Sequence, residues 1–253
     1  MNKNIIIVTP GQSGSSVLAG VIATQGYWLG EDTKKKPSFD THENAGLVDL
    51  NIKILEMMGF TGVLKTDMSR EFFAKMKRIA ESIDSEPFCR FVNECNAHSP
   101  WVWKDPRLSF TIHFWDQLMD MEACKFILLT RDPVQNFVRS VLKGKATLSL
   151  GEMKTLRRKY KASWDVFFEN RGLDCFKCTF EDMLLNPEAF LERLNRVIGT
   201  TLTVADLEGV YKGELHKRRY GPFSVAKAGL LYILYRCRAI CEKTRFRKTS
   251  EKR

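Results

Sequence analysis

Between residues 4 and 22 an aliphatic run, Ile5-Ile6-Ile7-Val8, passes through the turn Pro10-Gly11-Gln12-Ser13-Gly14-Ser15-Ser16 into a helical pattern of Val17, Leu18, Val21 and Ile22. Strand, turn and helix in immediate succession constrain this chain more than any other stretch. Small residues let backbone N–H groups close around an anion, and the first helical turn adds unpaired donors and the positive end of the helix dipole. The turn therefore suits a phosphate or sulfate. The Walker A pattern requires a Lys between its second Gly and the hydroxyl residue, but here Gly14 is followed directly by Ser15. The cation for such an anion has to come from elsewhere in the chain.

Apolar periodicity then alternates between strand and helix. Helical patterns are expected in "NAGLVDLNIKILEMMG", "SREFFAKMKRIAESI", "EPFCRFVNECN" and "LSFTIHFWDQLM", from near Pro133, over about 150–170, and from Pro187 to Ile198 between Asn186 and Gly199. Strands are expected at "WVWK", "CKFILLT" and "CFKCTF", and the charged stretch 31–40 reads as a loop. This alternation predicts an α/β fold, a P-loop-type parallel sheet flanked by helices on both faces. Ligands of such sheets sit at the carboxyl ends of the strands. Three polar motifs fall there: Gln12 to Ser16, Lys104-Asp105-Pro106-Arg107, and Arg131-Asp132-Pro133. Lys104, Arg107, Arg131 and Arg139 are thereby expected around a turn rich in amide donors, a set suited to one dianionic ligand.

The 253 residues suit one large domain at 1–222, followed by a basic amphipathic helix and tail at 223–253. The net charge of +10 is concentrated: from Lys212 onward there are 13 Lys and Arg against 3 Asp and Glu, and the preceding residues are neutral overall. Such a tail fits an anionic surface or ligand; no nucleic-acid reader motif accompanies it, so nucleic acid is not an expected partner. Val225 to Cys241 is apolar but broken by Lys227, Arg236 and Arg238, too short in its uncharged run to span a bilayer. Peripheral membrane contact through this helix is the expectation. The chain opens on its first strand, and its seven cysteines show no disulfide framework, so a cytoplasmic protein with reduced thiols and no N-terminal export segment is expected. Cys175 and Cys178 form a C-x-x-C inside a strand pattern without a second ligand pair, and no metal is expected.

The order of these motifs resembles the PAPS-dependent sulfotransferases, in particular their bacterial and carbohydrate branch, over about residues 4–200. "PGQSGSS" is similar to the family loop that binds the 5′-phosphosulfate of 3′-phosphoadenosine 5′-phosphosulfate (PAPS). "HENAGLVDLNIKIL" resembles its acidic residue before an apolar helix, and "KDPR" recurs after a strand. "RDPVQNFVRS" resembles the strand end and helix that bind the 3′-phosphate, and "FEDMLLNPEAFLERLNRVIG" a later block. The resemblance implies a donor site of Gly11, Gln12, Ser13, Gly14, Ser15, Ser16, Arg107, Arg131, Arg139 and Ser140. "HKRRYG" corresponds to a basic stretch that closes the family's site, so Lys217, Arg218 and Arg219 either touch the 3′-phosphate, hold an anionic acceptor or are solvated.

Two departures stand out. Gln12 occupies the place of the family's loop cation, and Ser140 lies nine residues after Arg131 instead of eight, with Arg139 in the eighth place. Lys104 is the expected replacement cation, and either Arg139 or Ser140 faces the 3′-phosphate. The implied reaction is transfer of a sulfuryl group to a hydroxyl or amine of a small-molecule or glycan acceptor, including a lipid-linked glycan. Glu43 is the first choice of base and His42 the second. Acceptor choice is expected in loops 30–45 and 60–70. The alternatives are a P-loop kinase or nucleotide hydrolase, opposed by the missing Lys, and a degenerate non-catalytic nucleotide-binding protein.

Overall fold

The computed structural model describes residues 3–144, 147–217 and 220–250, excepting the side chains of 238–250. Four strands, β1 (Asn4–Val8), β4 (Val102–Lys104), β5 (Cys124–Thr130) and β6 (Cys175–Thr179), form a sheet in the order β4-β1-β5-β6. All three pairings are parallel, with Ile6 opposite both Trp103 and Phe126. The expected α/β class with a parallel sheet is what the chain forms.

Alternate residues of the strands feed two separate cores, which is why they read as continuous apolar runs. On one face Ile6, Val8, Trp101, Trp103 and Phe126 pack with α2 (Ala45–Met57), α3 (Arg70–Ser82), α4 (Glu86–Ala97), α5 (Leu108–Trp115) and α7 (Leu150–Arg171). On the other Ile5, Ile7, Val102, Ile127 and Leu129 pack with α1 (Ser15–Ala23), α8 (Phe180–Leu185), α9 (Pro187–Ile198) and α10 (Val204–Val210). Each fully buried Ile or Val of β1 is worth about 1.5–3 kcal/mol by transfer. The centre of the sheet is thus the best anchored part of the molecule, and it ends at the Gly11–Ser16 turn.

The chain runs from β1 to β4 on one side of it, then crosses β1 to place β5 on the other. This reversal opens a crevice at the carboxyl ends of the strands.

The stretch 31–40 departs from its expectation as a loop. It forms the antiparallel hairpin β2 (Thr33–Lys36) and β3 (Phe39–Asn44) around Pro37-Ser38. Thr33 donates to Asp40 at 2.6 Å, and Lys34 pairs with Asp49 of α2 at 2.8 Å. Consequently His42 and Glu43 lie on a strand, and Asn44 caps α2 by accepting from the Leu47 N–H at 3.2 Å.

Two further helices close this part of the chain. α6 (Pro133–Leu142) starts at Asp132, whose side chain caps it, and α11 spans Pro222–Ser250. Val225, Ala228, Leu231 and Tyr232 of α11 pack on Phe137, Val138 and Val141 of α6.

Candidate active site

A cleft of about 1160 Å³ opens over the carboxyl ends of β4, β1 and β5. Its floor is the turn after β1. Gly14 has φ of 85°, a left-handed conformation that favours glycine, and a Cβ there would run into the Phe180 ring. Gly14 is also the N-cap of α1, and no side chain caps that first turn, as is also the case at α4, α5 and α9 but not at α3, α7 and α10. The helix entrance at the cleft is left for an external acceptor of hydrogen bonds.

The turn's side chains divide between cleft and core. Gly11, Gln12, Gly14, Ser15 and Ser16 line the cleft. Ser13 does not, contrary to its place in the expected set: it is 1% exposed and hydrogen-bonds the Thr9 hydroxyl, locking the turn to the end of β1. Gln12 has φ of 65°, and its Oε1 accepts from Ser140 Oγ at 3.2 Å. That bond turns the amide so that Nε2 is its remaining polar end, a donor.

Lys104 ends β4 beside this floor. Its Nζ donates to Glu43 Oε1 at 2.6 Å and to Ser16 Oγ at 3.2 Å, at 1% exposure. Burial pushes the lysine below its usual pKa range, and the Glu43 carboxylate only partly pulls it back. The strand end is fixed from behind: Asp105 accepts from Asn51 at 2.9 Å, and Asn51 accepts from Thr111 at 2.7 Å and Trp115 at 2.9 Å. Burial raises the Asp105 pKa, and its neighbour Arg107 counters this.

Arg107 itself lies outside the cleft, unlike the expectation. Its Nη1 donates to Asp105 Oδ1 at 3.0 Å, so it completes a turn that presents Lys104.

His42 lines the cleft beside them, and its Nδ1 donates to the Ser16 carbonyl, which only accepts, at 2.8 Å. The ring packs so closely on α1 that a Cβ at Gly20 would lie 2.7 Å from its Cε1. That contact explains a glycine inside this helix, where it costs about 1 kcal/mol against alanine.

From β5 and α6 come Arg131, Arg139 and Ser140, all lining the cleft. Arg131 is 5% exposed, with its guanidinium 4.7 Å from the Phe180 ring centre and Nε 3.8 Å from Glu181 Oε1. Arg139 and Ser140 face the cleft together, so the nine-residue spacing from Arg131 removes neither. Lys217 is at the rim, paired with Glu214 at 2.7 Å; Arg218 and Arg219 lie outside the described residues.

Several lining residues were not named individually from the sequence, although those of the hairpin fall within the 30–45 stretch expected to choose an acceptor. Lys36, Phe39, Asp40 and Thr41 come from the hairpin, Phe180 from the start of α8, and Tyr211 to Glu214 from the segment after α10. The only signal for the first group was Pro37-Ser38 between two short β-compatible runs. Of the two loops expected to choose an acceptor, the 30–45 stretch borders the cleft and 60–70 does not.

The C-x-x-C cysteines behave as core side chains, with burial pushing the Cys175 thiol up to about 12 and Cys178 higher still. Among the described residues no group of three or more His, Cys, Asp and Glu could hold a metal ion, and no helix is long and apolar enough to cross a membrane.

Comparison with known proteins gives a limited result. No protein-family model and no curated protein sequence matches the chain. Among solved structures it is similar to the sulfotransferase domain of the Synechococcus PCC 7002 olefin synthase, at 16% identity and a TM-score of 0.48, over 87% of this chain and 81% of that one. It is similar to the sulfotransferase domain of the curacin biosynthetic pathway, at 15% and 0.45 over 89% and 82%. A Mycobacterium tuberculosis sulfotransferase gives 14% and 0.42 over 83% and 70%. At these TM-scores the likeness bears on neither activity nor substrate.

Proposed function

We propose that this protein is a sulfotransferase that moves the sulfuryl group of PAPS to a hydroxyl or amine of an acceptor, with a carbohydrate or lipid-linked glycan as the acceptor class. The observation that carries the reading is the junction of three strand ends: an uncapped, glycine-forced helix entrance, a buried Lys104–Glu43 pair touching it, and Arg131, Arg139 and Ser140 across one cleft.

The residues fit a donor with two anionic ends. The Gly14–Ser16 entrance and Lys104 would hold the phosphosulfate, while Arg131, Arg139 and Ser140 would hold the 3′-phosphate. Bound there, PAPS supplies an activated sulfuryl group: its sulfur–oxygen bond to phosphate breaks as a bond from sulfur to the acceptor oxygen or nitrogen forms.

The chain's own work is positioning and charge. Lys104, with Ser16 as its second partner, sets a cation at the loop and supplies what Gln12 lacks. Gln12, held by Ser140, adds amide donors without charge. Glu43 takes the acceptor proton at Oε2, the oxygen opposite the one that Lys104 holds at 2.6 Å. His42 is the second candidate for that proton. Lys104 and Glu43 therefore act as a unit: Lys104 holds Oε1 and leaves Oε2 to take the acceptor proton.

The test is transfer of labelled sulfate from PAPS to a panel of glycans, lipid-linked glycans and simple amines, run beside ATP with magnesium. Transfer that Glu43→Gln abolishes supports the reading. Magnesium-dependent ATP turnover would replace it with a kinase or hydrolase, and PAPS binding without transfer would leave a non-catalytic nucleotide-binding protein.

A further inference from the structure

The helix α11 carries two apolar stripes, and the fold uses only one. Val225, Ala228 and Tyr232 face α6, with the Tyr232 and Phe137 rings 5.4 Å apart. On the opposite side Phe223, Leu230 and Leu234 are 83%, 62% and 50% exposed, and Ile233 beside them is 59% exposed. At ~100° per residue Phe223, Leu230, Leu234 and Cys237 fall within about 60° of one another. Large apolar side chains so exposed and so aligned form an unpartnered stripe rather than scattered surface residues.

Charge decides what covers it. The sequence from Arg236 to Arg253 has eight Lys and Arg against Glu242 and Glu251, continuing directly from the stripe. A second copy of this helix packed in parallel would bring the same positive charge alongside and be repelled, and one packed antiparallel would leave each basic tail without a counter-charge. An apolar stripe running into a cationic segment is complementary to a bilayer interface with anionic headgroups. Spanning is not at issue, since no described helix is long and apolar enough to cross.

We infer that α11 docks this protein on anionic membranes, with Phe223, Leu230, Ile233 and Leu234 in the acyl boundary and the following basic residues at the headgroups. The inference goes beyond the transfer reaction and does not rest on it. The two are nonetheless neighbours in the fold: α6, whose Phe137 and Val138 hold α11, turns Arg139 and Ser140 into the cleft. Gln135 Nε2 of the same helix donates to the Tyr220 carbonyl at 2.8 Å, fixing the chain just before α11. α6 thus joins the docking helix to one wall of the cleft.

The full chain is sedimented with phosphatidylcholine vesicles with and without phosphatidylserine, at low and high salt, for wild type and the double variant Leu230→Glu/Leu234→Glu. Both positions are at least half exposed, so the variant keeps its melting temperature. Expected is roughly tenfold or greater preference for the anionic vesicles, reduced by salt, and a loss of about tenfold or more in the variant. Equal or absent binding to the two vesicle types, or binding that the double variant retains, overturns the inference. So does a dimer in analytical ultracentrifugation that the variant abolishes, because the stripe would then cover a second copy. None of these readings uses PAPS, so a failed sulfate transfer and a failed docking are told apart.

Discussion

At the inner wall of the cleft the Lys104 side chain is 1% exposed and held between Glu43 and Ser16, whereas at the rim the Lys217 side chain is 69% exposed and pairs with Glu214. Burial pushes the first lysine below its usual range, and the Glu214 hydrogen bond lifts the second above it. The same side chain thus does two jobs. The inner wall hangs on strand ends between two packed cores, so its charges are placed before any ligand arrives. The rim consists of the hairpin tip at Lys36 to Phe39 and the segment after α10, where solvent screens each charge, while Glu43 farther along β3 belongs to the wall. On the proposed reading, bond-making chemistry falls to the preplaced groups and choice among acceptors to the rim.

The largest expected effect is at Lys104. Lys104→Met removes the cation at the loop and should lower kcat/KM by ~10³-fold, whereas Lys217→Met should change it by about 3-fold or less. Comparable losses in both would erase the distinction between wall and rim.

Gly14→Ala comes next. The left-handed conformation costs a side-chain-bearing residue about 1–2 kcal/mol, and the contact with Phe180 adds to it, so both the melting temperature and affinity for the product nucleotide should fall. In the double variant Gly14→Ala/Phe180→Leu the melting temperature should recover in part, since the ring contact is relieved and the backbone strain is not. Full recovery would mean that backbone conformation matters little there.

The pH dependence separates the two lysines by sign. Activity that needs protonated Lys104 should fall on the alkaline side below the usual lysine range, and Lys104→Arg should move that limb upward. Stability runs the other way: between the lowered folded value and the unfolded one, the unfolded chain binds the extra proton, so Lys104 makes folding more favourable as pH rises through that window. A wild-type alkaline limb that Lys104→Arg leaves in place would assign it to another group.

The smallest effect is expected at the hairpin. Lys36→Ala should raise KM for an anionic acceptor by roughly 2- to 5-fold, with kcat and melting temperature unchanged, because the side chain is exposed and lies over the Phe39 ring at 5.5 Å from its centre.

The same division explains what the sequence could disclose. The Ile5–Val8 run, the Gly14 turn and the polar residues after β4 and β5 are local signals: each is a strand end followed by a helix start, and a parallel sheet collects them at one edge. Lys104, Arg131, Arg139 and Ser140 could therefore be expected around one cleft, and all four line it. Rim residues carry no such address. Lys34 to Lys36 read as part of a charged loop until Thr33 and Asp40 pair across the hairpin. Tyr211 and Lys212 reach the cleft only because α10 packs against α1 in the second core. Ser13 and Arg107 show the converse failure: motif position put them in the site, while hydrogen bonds to Thr9 and Asp105 turned them toward the scaffold.

The central claim, that the inner wall is a preformed site for a 3′-phosphorylated adenosine donor, is tested most directly by calorimetric titration with 3′-phosphoadenosine 5′-phosphate. Wild type and Lys36→Ala should bind it alike and more tightly than ATP with magnesium, and Arg131→Ala should lose roughly 10- to 100-fold in affinity, as expected for a charge-assisted phosphate contact. Preference for ATP, or binding that Arg131→Ala leaves intact, would contradict it.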